Sequence, residues 1–75
     1  MSKKGVLVAI IGSYPAVIRL DCMPENGQAI SITDNMFVDG FSFSGMIVTF
    51  ISKRGEVEYP KGSKKMIPSF NVSAD

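Results

Sequence analysis

Two short segments of this chain, residues 6–11 and 46–51, are apolar at nearly every position, with Thr49 as the main interruption. In a β-strand, successive side chains point to opposite faces, so both faces of each segment are apolar. A chain of 75 residues has little further material with which to cover four apolar faces. The pattern therefore predicts either a tightly closed barrel or a partner that covers the second face.

Length and composition predict one folded domain over residues 1–75. The 45% share of hydrophobic residues is too high for a disordered chain, and a single cysteine excludes an internal disulfide or a cysteine-rich metal knot. No apolar run approaches the ~20 residues of a membrane helix. The run after Lys3 and Lys4 is too short and too β-branched for a signal peptide. We expect a cytoplasmic or virion protein rather than a secreted one.

Apolar residues do not recur at helical spacing, and glycine, proline and asparagine turn signals divide the chain at short intervals. The sequence predicts an all-β fold, a five- to six-stranded barrel or sandwich of the size of SH3-like and OB-like barrels. Strands are predicted over residues 5–12, 16–22, 28–33, 36–43, 46–53 and 56–59. Residues 60–75 are predicted to be a C-terminal arm or a last short strand.

Several local features follow from these strand limits. Alternation along the second strand places Ala16, Ile18, Leu20 and Cys22 on its inward side. This predicts a buried, inert thiol for Cys22. Asn26 and Gly27 suit positive φ angles and predict a hairpin between the second and third strands. Residues 53–56 predict another tight hairpin, and the alternating residues 56–59 predict a solvated strand that can form an edge of the sheet.

The chain contains no histidine, the commonest general base and metal ligand. Two pairs of carboxylates, Asp34 with Asp39 and Glu56 with Glu58, have no nucleophile beside them in the pattern. The spacing of Asp34 and Asp39 lacks the ligand density of a calcium loop. The sequence therefore predicts a protein that is not an enzyme, with no catalytic residue, metal, cofactor or evident small-molecule substrate.

The two segments that are apolar on both faces favour self-association. If one face of each stayed in water, about five aliphatic side chains would lose roughly 1.5–3 kcal/mol each. The loss, on the order of 10 kcal/mol, is comparable to the whole stability of a small domain. We predict a structural or interaction subunit that forms a homo-oligomer, as a ring or virion component. The interface is predicted to contain Val6, Val8, Ile10, Met46, Val48, Phe50, Met66 and Phe70.

A basic and aromatic combination supports an alternative, a small barrel that binds single-stranded nucleic acid on stacked rings beside a basic groove. Its predicted binding residues are Phe41, Phe43, Lys53, Arg54, Tyr59, Lys61, Lys64 and Lys65. A competing interpretation, which we favour, places Phe41 and Phe43 in the core. A further alternative is an inhibitor or adaptor that adds its edge strand to another protein.

The charges are unevenly distributed along the chain. Residues 21–39 are locally acidic, whereas residues 53–65 carry five of the eight lysines and arginines. Such polarity can steer a head-to-tail contact or an anionic ligand. A solvated surface explains the same charges without any partner, and the sequence favours that interpretation.

Overall fold

The computed structural model of the protein describes residues 5–12, 14–42 and 44–74. It confirms the all-β prediction: six strands form one curled sheet, a half-barrel, in the order β3-β5-β6-β1-β2-β4. The strands are β1 (Val6–Ile11), β2 (Ala16–Leu20), β3 (Gln28–Ser31), β4 (Phe37–Gly40), β5 (Ile47–Glu58) and β6 (Met66–Ala74). A 3-10 turn, Asp34–Met36, precedes β4.

One face of the sheet forms the core. Ala16, Ile18 and Leu20 of β2 point inward as expected, and Val8 and Ile10 of β1 are fully buried beside them. The rings of Phe50 and Phe70 meet edge to face among them, with centroids 5.4 Å apart at an interplanar angle of 86°. This arrangement is favourable for two aromatic quadrupoles and adds to the burial of both rings.

The C-terminal segment is an interior strand rather than an arm. β6 lies between β5, to which it is antiparallel, and β1, to which it is parallel. In the sequence, Pro68 argues against an interior strand, because proline has no amide hydrogen to donate to a neighbouring strand. The sheet tolerates it because β1 pairs only with Ser69 to Asn71 of β6.

β5 runs without interruption through residues 53–56, so the tight hairpin predicted there is wrong. The two predicted strands on either side form one strand of twelve residues. Its register against β6 shifts at Ile51 and at Arg54, and Gly55 has a φ angle of +143°. Such bulges bend a strand and increase its twist. The chain reverses later, where the Tyr59 amide donates to the Lys65 carbonyl over 2.8 Å.

The predicted hairpin between the second and third strands is also wrong. Gly27 has the expected positive φ angle of +85°, but β3 pairs with β5 instead of β2, and the Gly27 amide donates to the Phe50 carbonyl. The turn therefore leads the chain to β5 rather than back to β2. Because β2 ends at Leu20, Cys22 is exposed and not buried as predicted.

The strand predicted over residues 36–43 is shorter than expected and ends at Gly40. The Phe41 side chain is 51% exposed, which contradicts its predicted place in the core. Phe43, predicted beside it, lies outside the described residues. The loss of regular pairing after Gly40, whose φ angle is +93°, is what turns Phe41 outward.

The two apolar segments have different surroundings. In β1, Val8 and Ile10 are buried on one face, Ala9 is buried on the other, and Ile11 is half-buried. In β5 the inward residues are buried, but the outward-facing Ile51 is 52% exposed. The chain therefore covers most of β1 by itself and leaves the outer face of β5 open.

Gly40 offers a test of this packing. An ideal Cβ at Gly40 would lie 2.6 Å from the Ala16 Cα and from the Pro15 carbonyl oxygen, whereas one at Gly27 would have no heavy atom within 4 Å. Both residues have positive φ angles, so each alanine substitution costs about 1–2 kcal/mol of backbone strain. Gly40→Ala adds overpacking of about 1–3 kcal/mol. Urea unfolding should show the larger loss for Gly40→Ala, and equal losses would contradict the described β2–β4 packing.

Candidate functional site

Two aromatic side chains stack on the surface. The rings of Tyr14 and Phe41 lie 4.3 Å apart at 20°, although their side chains are 53% and 51% exposed. The Phe41 amide donates to the Pro15 carbonyl over 3.1 Å, which fixes the chain beside Tyr14. The sequence prediction included Phe41 but not Tyr14, since only the fold brings these distant residues together.

The stacked pair adjoins further exposed apolar groups. A cavity of about 500 Å³ is lined by Gly12, Tyr14, Met46, Ile51, Val72, Ser73 and Ala74. Ile47 lies on the same outward face of β5 as Ile51, and each is 52% exposed. We call the set of Tyr14, Phe41, Met46, Ile47 and Ile51 the outer patch. Val72 lines the same cavity but is half-buried and packs against the core. Contiguous exposed apolar groups of this kind mark interaction sites on soluble proteins.

Most of the predicted interface residues lie elsewhere. Five of them are buried in the chain's own core, namely Val8, Ile10, Val48, Phe50 and Phe70. Val6 is half-buried, whereas Met46 and Met66 are exposed. A strand sequence that is apolar on both faces does not reveal which face turns inward, because a shift of one residue exchanges them. A contact between β5 and another molecule would therefore use outward-facing residues such as Ile47 and Ile51.

The predicted basic residues lie on β5 and in the turn that follows it. Lys61, Lys64 and Lys65 are exposed in the turn between β5 and β6, which we call the basic turn, residues 59–65. The Glu58 carboxylate accepts a hydrogen bond of 2.8 Å from the Lys64 amide. Lys53 and Arg54 are exposed further back along the strand.

An acidic segment lies toward the other end of β5. Asp21 and Glu25 are exposed in the loop between β2 and β3, which we call the acidic loop, residues 21–27. This loop is attached to β5 through the hydrogen bond from Gly27 to Phe50, while the basic turn follows Glu58. The stretch 51–58 therefore separates the two charged segments along the strand. The protein has an electrostatic polarity that its net charge of +1 conceals.

Tyr59, a predicted stacking residue, is half-buried and engaged by a carboxylate. Its hydroxyl donates to Asp39 Oδ2 over 3.2 Å, and the Gly40 amide donates to Asp39 Oδ1 over 2.8 Å. Three strands, β6, β1 and β2, lie between β5 and β4 in the sheet, so the curl of the sheet is what brings these side chains together. A carboxylate beside Tyr59 opposes the approach of a phosphate group.

The Tyr59–Asp39 contact lies at a shallow apolar cavity of about 300 Å³. Its lining is Ala9, Ile10, Ile11, Pro15, Ala16, Val17, Asp39, Gly40 and Tyr59. Partial burial raises the pKa of the Tyr59 hydroxyl above its usual value of 10.0. The negative charge of Asp39 and the hydrogen bond to it raise that pKa further, because both oppose a phenolate.

The edge predicted near residues 56–59 is present in part. β3 pairs with β5 only at Ile47 to Phe50, so within the described sheet the stretch 51–58 pairs with β6 alone. Glu56 and Glu58 are exposed there. Bulges and charged residues on an edge hinder the addition of a further strand. Binding of another protein by strand addition stays a prediction that this edge does not favour.

The described residues contain no cluster of three or more histidine, cysteine, aspartate or glutamate side chains arranged to hold a metal ion. Within the same part of the chain, no helix has the length and apolar character needed to cross a membrane. No protein-family model matches the sequence. Neither a curated protein nor a solved structure shows significant similarity to it. The fold and surfaces define the class of the protein, a small all-β half-barrel with an exposed apolar patch.

The Tyr59–Asp39 contact predicts how stability depends on alkaline pH. A raised pKa means that the folded state favours the neutral phenol, so this contribution is complete below pH 10 and is lost as pH rises through the folded-state pKa. The variant Tyr59→Phe should therefore lose less stability above pH 10 than the unmodified protein. Urea unfolding measured at pH 8 and at several alkaline values would test this.

Tyr14→Phe is the control, because it retains an aromatic ring and leaves the Tyr59–Asp39 contact intact. The alkaline loss of stability should persist in this variant. If Tyr59→Phe and the unmodified protein show the same alkaline dependence, the hydrogen bond between Tyr59 and Asp39 does not act as described.

Proposed function

We propose that this protein is a non-enzymatic structural subunit that associates with copies of itself through the outer patch. The observation that carries the proposal is the exposure of Ile47 and Ile51 on the outer face of β5, each 52%. Ile51 lines the same cavity as Tyr14 of the stacked pair. A monomer leaves these side chains in water. Burying an aliphatic side chain of this size stabilises a complex by roughly 1.5–3 kcal/mol, less where half of it is already covered.

The composition of the outer patch supports a protein partner. It combines aromatic residues, methionine and aliphatic residues and contains no charged side chain. Aromatic residues and methionine are enriched at protein–protein interfaces, and charges are depleted at interface centres. The sequence does not favour an enzyme, because it has no histidine, the commonest general base.

The charge distribution supports a second copy as the partner. The acidic loop carries Asp21 and Glu25 with no positive side chain, whereas the basic turn carries three lysines. A head-to-tail contact would place the basic turn of one copy near the acidic loop of the next. Heterologous contacts of this kind close into rings or extend into filaments, which agrees with a structural role. The charges would steer association, and the outer patch would supply the burial.

The double variant Ile47→Ser and Ile51→Ser tests the proposal. Both side chains are about half-exposed, so the substitutions should change the stability of the monomer little. We expect the unmodified protein to sediment as a multiple of 8.1 kDa and the variant to sediment as a monomer. Sedimentation velocity over a range of concentrations provides the measurement. If the unmodified protein stays monomeric at every concentration, the proposal is overturned.

Met66→Ser is the matched control, since Met66 is 54% exposed but pairs with Glu58 at the opposite end of β6 from the outer patch. It should leave the oligomer intact. Reversing the charges at Lys64 and Lys65 should leave the mass unchanged and slow assembly at low salt, because charges at an interface rim act mainly on the association rate. Dissociation by Met66→Ser alone would place the interface elsewhere.

The exposed stack of Tyr14 on Phe41 favours binding of single-stranded nucleic acid as a second candidate function. An aromatic platform can stack a base at about 1–3 kcal/mol per base. Phe41→Ala should then weaken binding of a short oligonucleotide measured by fluorescence anisotropy, and affinity should fall with salt. Binding that is absent, or insensitive to salt, would exclude this candidate. The carboxylate beside Tyr59 counts against that residue as a member of the platform.

A further inference from the structure

The cavity beside Tyr59 carries a negative charge that its hydrogen bonds do not balance. Among the described residues that line this cavity, Asp39 is the one with a charged side chain. Its carboxylate accepts hydrogen bonds from the Tyr59 hydroxyl and from the Gly40 amide, and both donors are neutral. Asp39 is exposed, so a ligand in the cavity can reach the carboxylate. We call this cavity the Asp39 cleft.

Strand pairing places apolar side chains next to Asp39. Val17 is the partner of Asp39 between β2 and β4, and Ala9 is the partner of Val17 between β1 and β2. Paired residues point to the same face of a sheet, and Ile11 shares that face because it lies two residues beyond Ala9. Ile11 and Val17 are half-buried, and Pro15, which also lines the cleft, is exposed. These three side chains offer a ligand an apolar floor beside the carboxylate.

The free acceptor positions suit a group that donates several hydrogen bonds. An ionised carboxylate has about four acceptor positions, of which Tyr59 and Gly40 each occupy one on Asp39. The Tyr59 hydroxyl donates its proton to Asp39, so its oxygen can still accept a hydrogen bond. A primary ammonium group is a compact positive charge with three N–H donors. The carboxylate attracts such a group and repels an anion.

We propose that the Asp39 cleft binds a primary alkylammonium ion. The ammonium group contacts Asp39 and Tyr59, and the alkyl chain lies on Ile11, Pro15 and Val17. The cavity volume of about 300 Å³ is at the lower limit of ligand pockets, which restricts the ligand to a short chain. The source of the ammonium group is a free amine or a lysine side chain of another chain, since both have the same chemistry.

Four probes with a butyl chain or its carboxylate analogue test the proposal: butylammonium, butyltrimethylammonium, 1-butanol and butyrate. Each is titrated at millimolar concentration, pH 7 and constant ionic strength into ¹⁵N-labelled Ile47→Ser, Ile51→Ser double variant, so that self-association through the outer patch does not contribute. We expect butylammonium to shift the amides of Val17 and Gly40 in a saturable manner and to bind at least about threefold more tightly than the other probes. Absence of saturable shifts, or equal binding of another probe, would overturn the proposal.

The length of the alkyl chain provides a second test. The affinity should rise from methylammonium to butylammonium, by up to about fourfold for each methylene group that the apolar floor buries. Attraction to the charge alone would give the same affinity for every chain length. That result would overturn the proposal.

Asp39→Asn removes the charge and keeps an oxygen that can accept the hydrogen bond from Tyr59. The affinity for butylammonium should fall about three- to tenfold, because the ammonium group loses its ion pair. Asp21→Asn removes the same charge from the exposed acidic loop and should leave the affinity unchanged. Thermal midpoints show whether both variants remain folded. Equal effects of the two substitutions would indicate nonspecific attraction and would overturn the proposal.

A lysine derivative that is blocked at both its amino and its carboxyl group distinguishes the two sources of the ammonium group. Binding as tight as that of butylammonium would support a lysine side chain of another chain as the occupant. Binding at least about threefold weaker would support a free amine, because the blocked backbone then does not fit at the cleft. These titrations remain valid if the unmodified protein is a monomer, so their outcome is independent of the proposed self-association.

Discussion

The fold depends on covering both faces of β1 with a very short chain. β1 pairs with β2 on one side and with β6 on the other, and its alternate residues Val8 and Ile10 reach the centre of the core. The C-terminal strand is essential to this arrangement because Phe70 packs against Phe50 across the same core. The curl that brings Tyr59 to Asp39 gives the opposite face of β1 a partial cover. The same 75 residues then provide no cover for the outer face of β5.

The sequence was sufficient to predict the class of fold and much of the core. Alternation of side chains correctly identified Ala16, Ile18 and Leu20 as inward residues, because a half-buried strand imposes a period of two. It also identified the two segments whose second faces require cover. These properties are local, so a pattern of a few residues is enough to reveal them.

The errors concern features that depend on distant parts of the chain. A glycine after charged residues is compatible with a hairpin or with a bulge, and only the continuous partner β6 makes Gly55 part of a bulged strand. Gly27 has the conformation of a tight turn, yet β3 finds its partner in β5. Likewise, the pair of Tyr14 and Phe41 arises from the close approach of two loops, which no local spacing predicts.

The outer patch reflects the scarcity of side chains in a small sheet. It is exposed because no second layer covers the outer face of β5. The charged segments toward the two ends of β5 can orient an approaching copy, but they bury no apolar surface. A second copy on the outer patch would supply the missing layer.

The most direct test of this account is the solvent exposure of isoleucine methyl groups, measured by NMR with a soluble nitroxide at low and high protein concentration. The account predicts strong relaxation enhancement at Ile51 in dilute protein, a decrease at high concentration, and much weaker enhancement at Ile10 in either condition, since Ile10 is fully buried and Ile51 is 52% exposed. Enhancement at Ile51 that does not change with concentration would contradict self-association through the outer patch. Enhancement at Ile10 as strong as that at Ile51 in dilute protein would contradict the described core.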